Sequence, residues 1–266
     1  MDRLTRFPTL WRVAYRLAHL IYRAGEQRSE AIERELQLRE DIAVGRFKRT
    51  IGDHYEGERE KRTWLVYEKK FAPGAELNEV VFRNHRIRDE VLALRPKRLV
   101  NFGCLYGWLE DELARAGIEA HGVDRSPDTK ALNEARFKHA KFYAADIFDF
   151  LDQERSLLAG SMLAHINTGV YFLPKFLTRL YETAFRSGVE SVLVWEPWGR
   201  SRIDLEYQEV DPDRDIPPKV YRGVMILHNY ARLLKLAGYG RIVRSEIVRP
   251  PHLHPDYRSV FLVATK

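Results

Sequence analysis

From Arg98 to Lys266 short apolar runs alternate with amphipathic segments, and this alternation limits the fold more than any other feature of the chain. Arg98–Phe102 (RLVNF) reads as a strand, Trp108–Ala116 as a helix and Gly117 as its stop. Ile118–Asp124 is a second strand. Ser126 then serves as N-cap, and Pro127 as first residue, of a helix running to about Phe137. Lys141–Asp146, Ser161–Asn167 and Glu190–Pro197 are further strands, with a helix over Pro174–Arg186 between the last two. Asn229–Ala237 is a late helix stopped by Gly238, and Arg241–Val248 and Arg258–Thr265 are the final strands. The pattern predicts an α/β fold: a Rossmann-like, mainly parallel seven-stranded sheet with helices on both faces. The last two strands have no helix between them, so they close the sheet as an antiparallel hairpin.

Residues 1–96 read differently, as a helical N-terminal extension to a domain over 97–266. In Leu4–Ala24, Phe7, Trp11, Ala14, Ala18 and Ile21 recur at helical spacing among Arg12, Arg16 and Arg23. Such a helix packs on the domain or on a second copy of the chain in a homodimer, or it lies peripherally on a membrane. Glu26–Arg49 has helix-compatible spacing, and Gly52 and Gly57 break it. Trp64–Phe71 reads as a short strand or a helical turn, and Leu77–Leu94 as a helix ended by Pro96. A net charge of +6 favours acidic partners. The single cysteine, Cys104, excludes an internal disulfide framework and a CxxC metal site, and it fits a reducing, cytoplasmic setting. No apolar run approaches the roughly 20 residues needed to span a bilayer. Arginines interrupt every apolar stretch near Met1, unlike a secretory signal.

In a sheet of this kind ligands bind beyond the carboxyl ends of the strands. Gly103-Cys104-Leu105-Tyr106-Gly107 follows the first strand. There Gly103 allows close backbone approach, Gly107 accepts a turn conformation, and Leu105 calls for an ordinary one. The second strand ends in Asp124, suited to a pair of ribose hydroxyls, and the third in Ala145-Asp146-Ile147, suited to an exocyclic amine. With these signals in order, the chain from about Lys97 onward resembles the class I S-adenosylmethionine-dependent methyltransferases, whose terminal hairpin it shares. The resemblance implies S-adenosylmethionine as cofactor. It places Asn101 where the family carries an acid that helps hold the cofactor's ammonium, and its amide oxygen can still accept a hydrogen bond. Gly103 and Gly107, flanking Cys104, match two glycines of the family's loop, and Leu105 replaces the one between them. Asp124 matches the ribose acid, Asp146, beside Ile147, matches the acid near the adenine, and Asn167 opens the loop flanking the methionine part.

Methyl transfer from a sulfonium leans on positioning and desolvation, and it needs no metal. The expected reaction is O-methylation of a small molecule or glycan, anionic in keeping with the basic chain. A hydroxyl acceptor gains from a general base, for which His228 and Glu196 are the candidates. His165 alternates into the buried face of its strand. Residues 199–227 form an insertion able to cover the acceptor pocket, with Arg200, Arg202, Tyr221 and Arg222 as candidate contacts; His252 and His254 stand in the final hairpin loop. Two other readings stay open: a non-catalytic methyltransferase-like assembly module, and a nucleic-acid methyltransferase. The second lacks any dedicated nucleic-acid motif.

Overall fold

The computed structural model describes residues 58–266, apart from 73–74, 76–77, 202–203, 205–206, 222–224, 252 and 254–255. The amphipathic stretch at 4–24 and the segment at 26–49 therefore lie outside the described residues, as do Arg202, Arg222, His252, His254 and the side chains of Arg200 and Tyr221. Two helices come first, α1 (Glu58–Lys70) and α2 (Glu79–Leu94). The Trp64–Phe71 stretch is thus mostly the end of a longer helix, not a strand. Trp64 and Tyr67 stand one turn apart, and Trp64 is buried in an aromatic cluster with Tyr106. Asn78 caps α2 by accepting from the backbone N–H of Val80 and Val81, both at 3.1 Å.

The alternating region follows as β1 (Arg98–Phe102), α3 (Trp108–Arg115), β2 (Glu119–Asp124), α4 (Pro127–Arg136) and β3 (Lys141–Ala144). Two short helices come next, α5 (Ile147–Gln153) and α6 (Arg155–Leu158). After them run β4 (Met162–Ile166), a 3-10 turn (Gly169–Tyr171), α7 (Pro174–Arg186) and β5 (Ser191–Arg200). A small hairpin, β6 (Lys219–Tyr221) and β7 (Met225–Leu227), precedes α8 (Tyr230–Leu236), and β8 (Arg241–Val248) and β9 (Tyr257–Thr265) end the fold. The main sheet has seven strands in the order β3-β2-β1-β4-β5-β9-β8. β1 to β5 are parallel, and β9 runs antiparallel to both β5 and β8. This is the sheet and closing hairpin that the strand–helix alternation predicts.

Period-two alternation along the central strands sorts the core onto two faces. Leu99, Ala164, Leu193 and Phe261 point to the side covered by Ile87 and Val91 of α2 and Leu109 and Leu113 of α3. Val100, Leu163, Val194 and Leu262 point to the side covered by α5, α7 and α8. Each fully buried aliphatic side chain contributes about 1.5–3 kcal/mol, so neither helix layer can lift from the sheet without a large loss. The chain reverses from strand to helix at one edge of β1, β2, β3 and β4, and that edge carries the site.

The insertion is more structured than a covering loop. Its β6–β7 hairpin pairs Lys219 with Leu227, and Tyr207 is buried against Trp198, edge to face at 5.1 Å. The Tyr207 hydroxyl lies within hydrogen-bond reach of the carbonyl oxygens of Pro217 and Leu227, at 3.0 and 3.1 Å. Among the described residues no helix is long and apolar enough to cross a membrane.

Candidate active site

The turn after β1 is held by its backbone and by two side chains from neighbouring elements. Gly103 has φ +71°, and its N–H donates to the carbonyl of Val123 at 2.8 Å. A Cβ at Gly103 would stand 2.2 Å from Thr168 Oγ1, so both the conformation and the space require glycine. Leu105 departs from the ordinary backbone conformation expected of it: its φ is +44°. A left-handed leucine costs about 1–2 kcal/mol, and its polar backbone groups explain why it stays there. Its N–H donates to Asp124 Oδ2 at 3.1 Å, and its carbonyl accepts from Asn133 Nδ2 at 2.9 Å. Asn133, buried on α4, also accepts from the Gly107 N–H at 3.1 Å and from Trp64 Nε1 at 2.9 Å. It is the hub of the loop, and sequence reasoning missed it, because an asparagine in a polar helix carries no sign of what it faces.

A cavity of about 1010 Å³ opens over this turn. Of the expected cofactor residues, Asn101, Gly103, Cys104, Asp124, Asp146, Ile147 and Asn167 all line it. They arrive from the ends of four successive parallel strands, β1 to β4. Asp124 also accepts from the Ser126 N–H at 3.2 Å, which fixes the carboxylate at the strand end. Asp146 caps α5 by accepting from the Phe148 N–H at 2.8 Å. Asn167 is left-handed at φ +53°, a conformation asparagine tolerates, and its N–H donates to the Trp195 carbonyl at 2.9 Å.

Gly107, also expected at the cofactor, does not line the cavity; a Cβ there would fall 2.3 Å from the Phe142 ring, so packing requires a glycine at this position. The two expected bases lie behind the cavity wall. Neither His228 nor Glu196 lines the cavity, and both are buried. His228 Nε2 lies 3.0 Å from the Phe172 carbonyl, the distance of an N–H donating to it, and burial pushes the imidazole down to about 3. Glu196 Oε1 accepts from the N–H groups of Thr168 and Gly169, at 2.9 and 2.7 Å, and from His165 Nδ1 at 2.7 Å. That assigns the Nδ1–H tautomer to His165, so the Tyr181 hydroxyl donates to Nε2 at 2.7 Å. Glu196, His165 and Tyr181 thus form a buried chain whose end holds the 167–169 turn against the cavity wall.

One buried carboxylate at the site was not anticipated. Glu110, third residue of α3, lines the cavity floor with no exposure to water. Asn101 Nδ2 donates to its Oε1 at 2.5 Å, while among the described residues Glu110 Oε2 and Asn101 Oδ1 have no hydrogen-bond partner. An acid in a helix's first turn reads in sequence as an ordinary dipole-complementing residue, so nothing there marks it as part of a site.

The strand order, the closing hairpin and the site at the strand ends together define the class I S-adenosylmethionine-dependent methyltransferase fold. Magnesium protoporphyrin IX methyltransferase from Synechocystis PCC 6803, with bound S-adenosylmethionine, matches at TM-score 0.54 and 14% identity, over 83% of this chain and 97% of that one. The 1,6-didemethyltoxoflavin-N1-methyltransferase of Burkholderia thailandensis matches at TM-score 0.50 and 15% identity, over 79% and 91% of the two chains. A TehB-like S-adenosylmethionine-dependent methyltransferase from Corynebacterium glutamicum ATCC 13032 matches at TM-score 0.50 and 12% identity, over 78% and 97%. At such identities the likeness is one of fold. No protein-family model matches the sequence, and no curated protein matches it.

Proposed function

We propose that this chain is an S-adenosylmethionine-dependent methyltransferase that methylates an already ionised oxygen on an aromatic small molecule. The observation that carries the reading is the single cavity into which β1, β2, β3 and β4 deliver Gly103, Asp124, Asp146 and Asn167. Two strand-end carboxylates suit a ribose and an amine-bearing base. The buried acceptors Glu110 Oε2 and Asn101 Oδ1 at the cavity floor suit a cationic donor. The residues therefore fit the cofactor that the fold implies. Bound there, that cofactor supplies a methyl group activated by its sulfonium.

The rest of the cavity speaks for the acceptor. At about 1010 Å³ it stands at the upper end of the roughly 300–1,000 Å³ of single-ligand pockets, which leaves room beside a cofactor. Phe148, Phe172, Phe176 and Tyr171 also line the cavity, and Arg179, another lining residue, lies over the Phe148 ring at 4.7 Å. Arg83 of α2 also lines the cavity, its Nε donating to Asn84 at 3.2 Å. Aromatic faces bind a planar body, and guanidinium groups bind a carboxylate or a phenolate. Among the described residues no histidine lines the cavity. An acceptor that arrives ionised needs no base, and the chain's task reduces to orientation and exclusion of water. Arg83 and Arg179 would hold the anion, and the 167–169 turn, fixed from behind by Glu196, would form the wall between the two ligands.

The test is methyl transfer from S-adenosylmethionine to a panel of aromatic carboxylic acids and acidic phenols, with neutral sugars alongside and product mass as readout. Products confined to the acidic aromatics support the reading. Methylation of the neutral sugars alone refutes the acceptor assignment.

A further inference from the structure

The strand acid of the fold family is an asparagine in this chain, yet the floor of the cavity is not without a carboxylate. Glu110 reaches it from α3. We infer that Glu110, oriented by Asn101, supplies the counter-charge for the cofactor's ammonium group, accepting through Oε2 while Asn101 accepts through Oδ1. This rests on the cofactor reading above.

The pairing explains two observations that are otherwise costly. A fully buried carboxylate oxygen with no donor carries a desolvation penalty, and so does the buried amide oxygen beside it. Two such atoms belong to adjacent side chains that both line one cavity, and a small side-chain turn would present them to a group with several N–H donors and a positive charge. The short Asn101–Glu110 bond sets their geometry: by donating through Nδ2, Asn101 turns its own oxygen and the second carboxylate oxygen free of each other. An aspartate at position 101 would stand against Glu110 as a second buried negative charge, so the asparagine and the helix acid make sense as a pair.

Binding then moves a proton. Burial raises the Glu110 carboxyl to about 7, against the lowering effect of Asn101 and of its own backbone N–H, and the carboxylate of Asp124 on β2 adds to the rise. From α2, Arg83 lines the same cavity and His85 packs on Trp108. On its own helix, Asp111 is engaged by Arg115 and His139. β1 contributes no charge beside it. Near neutral pH part of the population holds Glu110 as the acid. When the ammonium docks, the O–H bond breaks, the proton passes to solvent, and the carboxylate accepts from N–H.

The test is calorimetry of S-adenosylhomocysteine and of 5′-methylthioadenosine, which lacks the amino-acid part, in buffers of different ionisation enthalpy. For the unaltered protein we expect about half a proton released per S-adenosylhomocysteine bound near pH 7, decreasing toward none by about pH 8, below the range in which the ligand's own amino group loses its proton, and none for methylthioadenosine. Glu110→Gln should weaken S-adenosylhomocysteine about 10- to 100-fold and abolish the release, while leaving methylthioadenosine within about twofold. Asn101→Asp combined with Glu110→Gln should restore much of the loss. If both compounds bind the unaltered protein without proton release, or if Glu110→Gln binds S-adenosylhomocysteine normally, the inference fails and the cofactor reading stands. If the unaltered protein binds neither compound, the cofactor reading itself fails. Should Glu110→Gln not fold, the proton release of the unaltered protein decides alone.

Discussion

Gly103→Ala is the perturbation whose consequence the structure fixes most closely. At φ +71° an alanine carries the left-handed penalty, about 1–2 kcal/mol. Its Cβ would also lie 2.2 Å from Thr168 Oγ1, 2.8 Å from Cγ2 and 3.0 Å from the threonine Cβ. Rotating Thr168 exchanges its γ atoms but does not clear the Cβ, so the 167–169 turn has to move. That turn is held by two backbone N–H bonds to Glu196, and losing one of them to an ionised acceptor costs about 1.5–3 kcal/mol. The sum is about 2.5–5 kcal/mol, which for a chain of this size lowers Tm by roughly 5–20 °C. Urea unfolding followed by circular dichroism measures it directly. Thr168→Ala removes the two closest atoms and leaves its Cβ at 3.0 Å, a contact that a small shift relieves, so the double variant should recover most of the roughly 1.5–3 kcal/mol lost with the turn and keep the left-handed penalty. A cost below about 0.5 kcal/mol for Gly103→Ala, or no rescue by Thr168→Ala, would refute the argument that this turn and the 167–169 turn are in sterically determined contact.

Three further outcomes follow. Glu196→Gln should destabilise the fold by about 1.5–3 kcal/mol yet leave the pH profile of turnover unshifted, since Glu196 holds the 167–169 turn from behind and does not line the cavity; a displaced profile in a pH–rate series would show otherwise. Burial holds folded His228 neutral down to about pH 3, whereas an unfolded histidine gains its proton near the ordinary value of about 6.5. The unfolded state therefore binds the extra proton between those values, and stability falls as pH drops through that window, by up to about 1.4 kcal/mol per pH unit; His228→Gln should flatten that slope in unfolding curves taken from pH 7 to pH 4. Arg179→Met should raise KM for an anionic acceptor by about tenfold with little change in cofactor affinity, and an unchanged KM would remove Arg179 from the acceptor site.

The layout of the fold was open to reading because each central strand is an uninterrupted apolar run bounded by turn residues. The Ser126 cap, the Pro174–Arg186 helix and the hairpin end all follow from local signals that tertiary packing reinforces. The site was legible as far as strand ends go, since a residue at the carboxyl end of a parallel strand is placed by topology. Depth was not legible. Glu196 and His228 sit near the proper edge but beneath the 167–169 turn and Phe172, and no periodicity reports what covers a strand end. The left-handed Leu105 has no local signal, because the side chains that hold it come from β2 and α4, about 20 and 30 residues away in sequence. Glu110 and Asn133 belong to the same class. Each is a polar residue on a helix, and only the packed fold shows which atoms it meets.

The central claim is that the cavity at the ends of β1 to β4 is a cofactor site organised by Asp124. Titrating S-adenosylhomocysteine into the folded protein and into Asp124→Ala tests it most directly. The account predicts one molecule bound per chain and at least about a tenfold loss of affinity in the variant. No binding by the unaltered protein, or equal binding by the variant, would contradict it.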